Sequence, residues 1–104
     1  YPYLKGLQIT LDQIPLFDGV RIALLSNVKS SLNDSNKNHI IRKLNIQSKN
    51  KRLSSILYDP QTAGGFIFIL NENEKKILAE FSKENISLSL IGKIINNDKK
   101  INII

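Results

Sequence analysis

Apolar and polar residues alternate with a period of two in two short stretches near opposite ends of the chain. These are QITL at residues 8–11 and SLSL at residues 87–90, and the spacing is typical of a strand with one buried face. A third stretch, FIFIL at residues 66–70, has no polar position at all. An apolar run of this length indicates a central strand covered on both sides.

Further strand signals lie in the second half of the chain. Residues 53–57 have the composition of a short strand, and Gly92 interrupts an apolar segment that resumes two residues later. The polar sequence NNDKK at residues 96–100 then leads into INII at residues 101–104. A polar turn between two apolar segments predicts a hairpin that closes the sheet.

The first predicted helix begins near Asp12, where the period of the pattern changes from 2 to about 3.6 residues. Asp12 is a suitable N-terminal cap, and Pro15 is tolerated in a first helical turn. Gly19 lies inside this predicted helix and weakens it by about 1 kcal/mol relative to alanine. The apolar face comprises Leu16, Val20, Ala23 and Leu24.

Two more helices follow in the pattern. The second comes after a polar loop at residues 28–36, with Asp34 or Ser35 as its cap, and its inward stripe is Ile40, Ile41 and Leu44. The third begins with the capping-box spacing of Asn71 and Glu74, and Asn85 ends it in the left-handed conformation. Its stripe is Ile77, Leu78 and Phe81, with Glu72 and Lys76 paired outside.

These elements occur in the order β-α-α-β-β-α-β-β, which predicts an α/β or α+β fold. We expect a mixed sheet of about five strands with about three helices packed on it. At 104 residues, the chain is long enough for a single domain with one core.

Composition excludes several kinds of site. The chain has no Cys, so disulfides, thiolate nucleophiles and Cys-ligated metals are excluded. His39 is the one histidine, and no residue stands at a spacing that suggests a catalytic triad with it, so we expect an exposed helix residue. Because no apolar run approaches the roughly 18 residues of a membrane span, and no leader is visible, we expect a cytoplasmic protein with no membrane partner.

Positive charge is concentrated in residues 37–52, which contain no carboxylate, and the chain has a net charge of +6. Charge of this kind gives non-specific affinity for nucleic acid. However, no Phe, Tyr or Trp lies in this segment to stack on a base, so we expect a solvated surface and no nucleic-acid partner. The cations are Lys37, Arg42, Lys43, Lys49, Lys51 and Arg52.

The stretch YDPQTAGG at residues 58–65 combines several chemical groups in a few positions. Asp59 can accept a backbone hydrogen bond, Pro60 fixes one dihedral angle, and Thr62 offers a hydroxyl. The two terminal glycines let the backbone approach a ligand, and successive N–H groups form anion-binding concavities. The spacing matches neither the P-loop nor the dinucleotide-binding fingerprint. Residue chemistry alone therefore leaves both an ordinary turn and a binding site open.

The longer stretch LYDPQTAGGFIFIL, residues 57–70, resembles the signature DPQTSGGLL of the C-terminal domain of selenophosphate synthetases (selenide, water dikinases). This family belongs to the aminoimidazole ribonucleotide synthetase-like superfamily. Three other segments are similar to family segments that occur in the same order. ITLDQIPLFDGV is similar to the family's strand and following helix, and SSLNDSN to its Ser- or Gly-rich loop ending in Asn. FSKENISLSLIGKI is similar to its last helix and strand. The resemblance covers nearly the whole chain.

The resemblance implies an enzyme that converts ATP, selenide and water to selenophosphate, AMP and phosphate, with Mg²⁺ required. In this family the reactive Cys or selenocysteine, the essential Lys and most metal-binding carboxylates belong to the N-terminal domain. The chain also starts at Tyr1 without a lead-in. We therefore expect the distal part of a C-terminal domain, whose partner is the ATP-binding domain of the same protein. Alone, it would have no catalytic residue, metal or cofactor.

The residues that the resemblance assigns to cofactor binding are Asp59, Gln61, Thr62, Gly64, Gly65 and, by a looser match, Asn36. The Gly-rich loop would line the cleft between the two domains. Ala63 stands where the family commonly has Ser, and Phe66 replaces a Leu. Asn36 has a second interpretation as the cap of the second helix. The alternative function is a non-catalytic interaction or regulatory module derived from the family, with the motif kept for folding.

Overall fold

The computed structural model describes residues 5–70, 73–96 and 100–104. The chain divides into two compact units, Tyr1–Pro60 with Ile91–Ile104, and Gln61–Leu90. The elements of the described part are β1 Gly6–Ile9, α1 Val20–Leu25, α2 Asn33–Ile40, β2 Leu44–Ile46, α3 Glu74–Lys83, β3 Gly92–Ile95 and β4 Ile101–Ile103. Short 3-10 helices occur at Leu11–Gln13, Ile41–Lys43 and Leu53–Tyr58.

The first unit contains a mixed four-stranded sheet in the order β2-β4-β1-β3. Strand β4 runs parallel to both β1 and β2, whereas β3 runs antiparallel to β1. This mixed α+β arrangement confirms the predicted fold class. The described residues form four strands rather than about five.

Strands β3 and β4 do not form the predicted hairpin, because β1 lies between them. Ile95 is opposite Gly6 and Ile101 is opposite Leu7, so β3 ends and β4 begins at the same end of β1. These two strand ends are therefore two inter-strand gaps apart, about 10 Å. Part of the predicted turn, residues 97–99, lies outside the described residues. The pattern predicted the two segments correctly but could not indicate the strand between them.

The core of the first unit forms on one face of this sheet. Ile103 is 0% exposed and is flanked in register by Ile9 and Ile46. Its buried neighbours in the core are Leu11, Leu24 and Leu53. The opposite face is polar at the next position along each strand, since successive side chains of a strand point to opposite faces. There the Asn45 side chain donates to Oδ1 of Asn102 at 3.1 Å.

The first predicted helix is shorter than its apolar pattern indicated. Residues Leu11–Gln13 form a 3-10 turn instead, and α1 begins only after Gly19, whose φ is 81°. Gly19 is thus the residue before the helix and not a weak point within it, because the left-handed conformation that it adopts is one that glycine tolerates. Asn27, at φ 61°, ends α1, and the Val28 N–H donates to the Ala23 carbonyl at 2.8 Å, as in a Schellman motif.

Three further predictions about the middle of the chain are wrong. Helix α2 begins at Asn33, ahead of the predicted caps Asp34 and Ser35, and Leu44 belongs to β2 and not to the helical stripe. The segment predicted as a strand at residues 53–57 is part of the 3-10 helix Leu53–Tyr58. Local hydrogen bonding accounts for this helix, because the Asn50 side chain accepts the Leu53 N–H at 3.0 Å. Such side-chain bonds compete with strand formation.

Residues 66–70 do not form the predicted central strand. Their side chains are between 48% and 86% exposed, and no strand is assigned there. Within the second unit, the ring of Phe68 packs against Phe66 and Phe81, with centroid separations of 6.3 and 6.1 Å. Residues 87–90 also form no strand. Alternation and apolarity indicate which residues suit a strand, but they do not supply the neighbouring strand that completes the hydrogen bonds.

Helix α3 confirms the third predicted helix. Its stripe residues Ile77, Leu78 and Phe81 are half-buried. Asn85 ends it at φ 57°, and the Ile86 N–H donates to the Phe81 carbonyl at 3.0 Å, which confirms the predicted left-handed stop. The predicted Asn71 cap and the Glu72 partner of Lys76 lie outside the described residues. In the ranges that the structure describes, no helix is long and apolar enough to cross a membrane.

Replacing Gly92 by alanine tests how closely β3 approaches β1. A Cβ at this position would lie 2.1 Å from the Gln8 carbonyl oxygen, a backbone atom. We expect Gly92→Ala to lower the free energy of unfolding by about 3 kcal/mol, because the two strands must separate to admit it. The matched control is Gly65→Ala, whose Cβ would meet nothing within 4 Å and should change stability by less than about 0.5 kcal/mol. Equal losses in urea unfolding would contradict this account of the strand pair.

Candidate ligand-binding loop

The candidate loop begins where the 3-10 helix Leu53–Tyr58 ends. Asp59 is extended, with φ −66° and ψ 130°, and its N–H donates to the Ile56 carbonyl at 3.2 Å. Pro60 follows, and it has no N–H to continue the helix. Asp59 and Pro60 are half-buried at the edge of the first unit. The direction of the chain is therefore fixed before the exposed part of the loop begins.

Helix α2 holds the last turn of this 3-10 helix through two asparagine side chains. Asn33 donates from Nδ2 to the Ser55 carbonyl at 2.8 Å, and Asn36 donates from Nδ2 to the Tyr58 carbonyl at 2.9 Å. Asn36 lies inside α2 and is not its cap, so the capping interpretation is wrong. Sequence reasoning missed Asn33, which is 1% exposed. The available signal was that Asn33 and Asn36, three residues apart, share one helical face.

The glycines of the loop lie in the second unit and are exposed. Neither Gly64 nor Gly65 has a positive φ, so their conformation is open to any L-residue. A Cβ at Gly65 would meet nothing within 4 Å, whereas one at Gly64 would lie 3.3 Å from the Cβ of Gln61, a tight contact. Folding of this segment therefore does not require glycine at position 65, while a side chain at position 64 would require Gln61 to shift by a few tenths of an ångström. What the two glycines provide is a backbone that is open to approach from outside.

The six candidate residues fall into two groups. Asn36 and Asp59 belong to the first unit. The Asn36 amide donates to the Tyr58 carbonyl, which directly precedes Asp59 in the chain. Gln61, Thr62, Gly64 and Gly65 are close in sequence, exposed, and belong to the second unit. Each group has the chemistry of a polar contact surface, with carboxylate and amide groups in the first and amide, hydroxyl and backbone N–H groups in the second.

Tyr58 is a buried neighbour of the loop that sequence reasoning did not select. Tyr58 is only 4% exposed, and its hydroxyl is buried without a hydrogen-bond partner among the described residues. The Lys37 ammonium lies 6.0 Å from the ring centroid, within the range of a cation–π interaction. Burial raises the pKa of the Tyr58 hydroxyl, because desolvation disfavours its ionised form.

Two cations of the basic segment make contacts within the first unit. Arg52 donates from its guanidinium to the Leu25 carbonyl at the end of α1, at 2.8 Å, and Lys37 lies over Tyr58. Just before the segment, Lys29 pairs with Asp34 at 2.6 Å. The hydrogen bond and positive charge of Lys29, together with a smaller effect of Lys37, lower the pKa of Asp34. Two of the six cations thus have local structural contacts within the first unit.

His39 is an exposed residue of α2, as predicted from its sequence context, and its Nδ1 lies 2.7 Å from the Ser35 carbonyl. Across residues 5–70, 73–96 and 100–104, no group of three His, Cys, Asp or Glu side chains is arranged to hold a metal ion.

Comparison with models of known protein families finds no match to this chain, and comparison with curated proteins finds none either. The functional assignment therefore depends on the motif at residues 59–65 and on the geometry around it.

Replacing Tyr58 by phenylalanine tests whether the buried hydroxyl is a cost to folding. We expect Tyr58→Phe to raise the free energy of unfolding by about 1 kcal/mol, because a buried hydroxyl without a partner loses its hydrogen bonds to water. The wild-type protein should also lose stability as the pH rises above 10.0, the ordinary pKa of the tyrosine hydroxyl. The reason is that Tyr58 ionises at a lower pH in the unfolded chain than in the folded protein. Thermal unfolding between pH 7 and 11 measures both effects. A destabilised variant would show that the hydroxyl has a partner.

Proposed function

We propose that this chain is the C-terminal portion of a selenophosphate synthetase-like enzyme in the cytoplasm. The enzyme would use ATP, selenide and water to form selenophosphate, AMP and phosphate. The observation that carries the proposal is the sequence DPQTAGG at residues 59–65, which differs at one position, Ala63, from the family signature. In this proposal the chain supplies a loop at the cleft with an ATP-binding domain, and it is not active alone.

The geometry of the loop supports a contact with phosphate. Gly64 and Gly65 are exposed and their conformation does not require glycine, so the absence of a side chain is explained by the close approach of a ligand. Backbone N–H groups at these positions, with the Thr62 hydroxyl and the Gln61 amide, are donors suited to phosphate oxygens. Ala63 offers no hydroxyl, so the proposal assigns no ligand contact to its side chain.

The division of labour follows from what this chain contains. It has no Cys to act as a nucleophile, and the family's reactive residue and essential Lys belong to the other domain. Magnesium-bound ATP supplies the phosphoryl group and the charge neutralisation for its transfer. The loop's task is to hold phosphate groups in place, which contributes to catalysis by orientation. The proposed partners are the ATP-binding domain and selenide, and no nucleic acid.

Replacing Gly65 by valine in the protein that joins this chain to its ATP-binding domain tests the proposal. We expect selenophosphate formation, measured as kcat/KM for ATP, to fall at least tenfold because the branched side chain blocks the approach of phosphate. The melting temperature should change by less than about 2 °C, because a Cβ at Gly65 meets no neighbour and surface substitutions of this kind have small effects. Ala63→Ser is the matched control and should retain activity.

Two results would contradict the proposal. Parallel losses of activity and melting temperature in Gly65→Val would show that the loop is a structural turn. If the wild-type protein forms no selenophosphate and Mg²⁺-ATP leaves its melting temperature unchanged, the non-catalytic interaction or regulatory module is the better description.

A further inference from the structure

The two asparagine contacts between α2 and the 3-10 helix form a matched pair. The donors, Asn33 and Asn36, are three residues apart, and so are the acceptor carbonyls of Ser55 and Tyr58. Residues three apart lie on the same face of an α-helix, and residues three apart eclipse each other in a 3-10 helix. The equal spacing allows both bonds to form side by side. We call this pair of hydrogen bonds the amide clamp.

The clamp acts where the 3-10 helix stops. The last carbonyls of a helix have no partner within it and need donors from elsewhere. Asp59 is extended and Pro60 carries no N–H, so the local backbone does not continue the helical pattern past Tyr58. The Asn36 amide supplies a donor to the Tyr58 carbonyl and fixes the orientation of the peptide group that joins Tyr58 to Asp59.

This arrangement determines what Asn36 can do. One of the two N–H donors of its Nδ2 is bonded to the Tyr58 carbonyl at 2.9 Å, and this bond sets the orientation of the amide group. Asp59 immediately follows the held carbonyl, and its own N–H is bonded to Ile56 at 3.2 Å. The Tyr58 carbonyl and the Asp59 N–H belong to one peptide group, which is thus held at both ends, by α2 at its carbonyl and by the 3-10 helix at its N–H.

We propose that Asn36 is a positioning residue for Asp59, acting through the Tyr58 carbonyl. This inference rests on the proposed function for the role of Asp59 at the cleft. Asn33 is the other half of the clamp, but it acts one turn earlier, at Ser55, and supports stability without setting the orientation of Asp59. Loss of the Asn36 bond leaves this peptide group without its carbonyl donor, so that of these two bonds only the one from the Asp59 N–H to the Ile56 carbonyl remains to orient it.

Hydrogen exchange on this chain tests the positioning step without reference to activity. We expect Asn36→Ala to accelerate exchange of the Asp59 N–H about tenfold more than exchange of the Ile104 N–H, which lies in the sheet bonded to the Ile9 carbonyl. Global destabilisation alone would accelerate both equally. Asn38→Ala is the matched control on the same helix, at an exposed asparagine, and should change neither. Equal acceleration at the two amides would overturn the inference.

A double-mutant cycle in the protein with its ATP-binding domain tests the functional step. We expect Asn36→Ala and Asp59→Asn each to raise KM for ATP about tenfold. The KM of the double variant should equal that of Asp59→Asn alone, because both substitutions disturb the same contact, that of Asp59 with the ligand. Asn33→Ala should lower the melting temperature while leaving KM within about twofold. If the KM increases of the two single variants multiply in the double variant, Asn36 acts independently of Asp59, and the inference is overturned.

The two experiments separate failure of the inference from failure of the proposed function. If the wild-type protein forms no selenophosphate, the proposed function is wrong, and the exchange experiment still decides whether Asn36 holds Asp59. If the enzyme is active but the cycle shows independent effects, only the inference fails.

Discussion

The burial of Ile103 between Ile9 and Ile46 is the constraint on which the rest of the structure depends. It places the last strand of the chain inside the sheet, parallel to both neighbours, and forces β3 to the far side of β1. The face that carries Ile103 must then be covered, and Leu11, Leu24 and Leu53 cover it. Leu53 is 1% exposed and begins the 3-10 helix that leads to the candidate loop. The same apolar contacts therefore cover the sheet and fix the position of the start of the loop.

Polar contacts near the loop continue the ordered structure from this core to the surface. Apolar packing fixes where the 3-10 helix lies, but it does not fix how the helix ends, because its last carbonyls need donors. The amides of Asn33 and Asn36 meet this need. Residues 61–70 are exposed, and neither Gly64 nor Gly65 has a positive φ that would require glycine. A rigid start followed by an open, side-chain-poor backbone suits a segment that meets a phosphate-bearing ligand supplied by another domain.

The sequence predicted well those features that depend on local pattern. The class of fold, helix α3, the left-handed stop at Asn85 and the exposed position of His39 all follow from short-range rules. It failed where distant residues decide the outcome. Ile101 and Ile103 look the same in a hairpin and in a central parallel strand, and residues 66–70 look like a strand whether or not a neighbour pairs with them. At the candidate site, the motif identified Asp59 to Gly65, but the role of Asn36 required knowing that α2 lies beside Tyr58, 22 residues away in the chain.

The central claim is that the backbone at Gly64 and Gly65 meets the phosphates of ATP. It is tested most directly by titrating Mg²⁺-ATP into the ¹⁵N-labelled protein that joins this chain to the proposed ATP-binding domain, and following the backbone amide resonances by NMR. The account predicts that, within this chain, the largest saturable shifts occur at Gly64 and Gly65, and that AMP, which lacks the β- and γ-phosphates, produces much smaller ones. Unchanged glycine resonances at saturating nucleotide, with shifts confined to other residues, would contradict it.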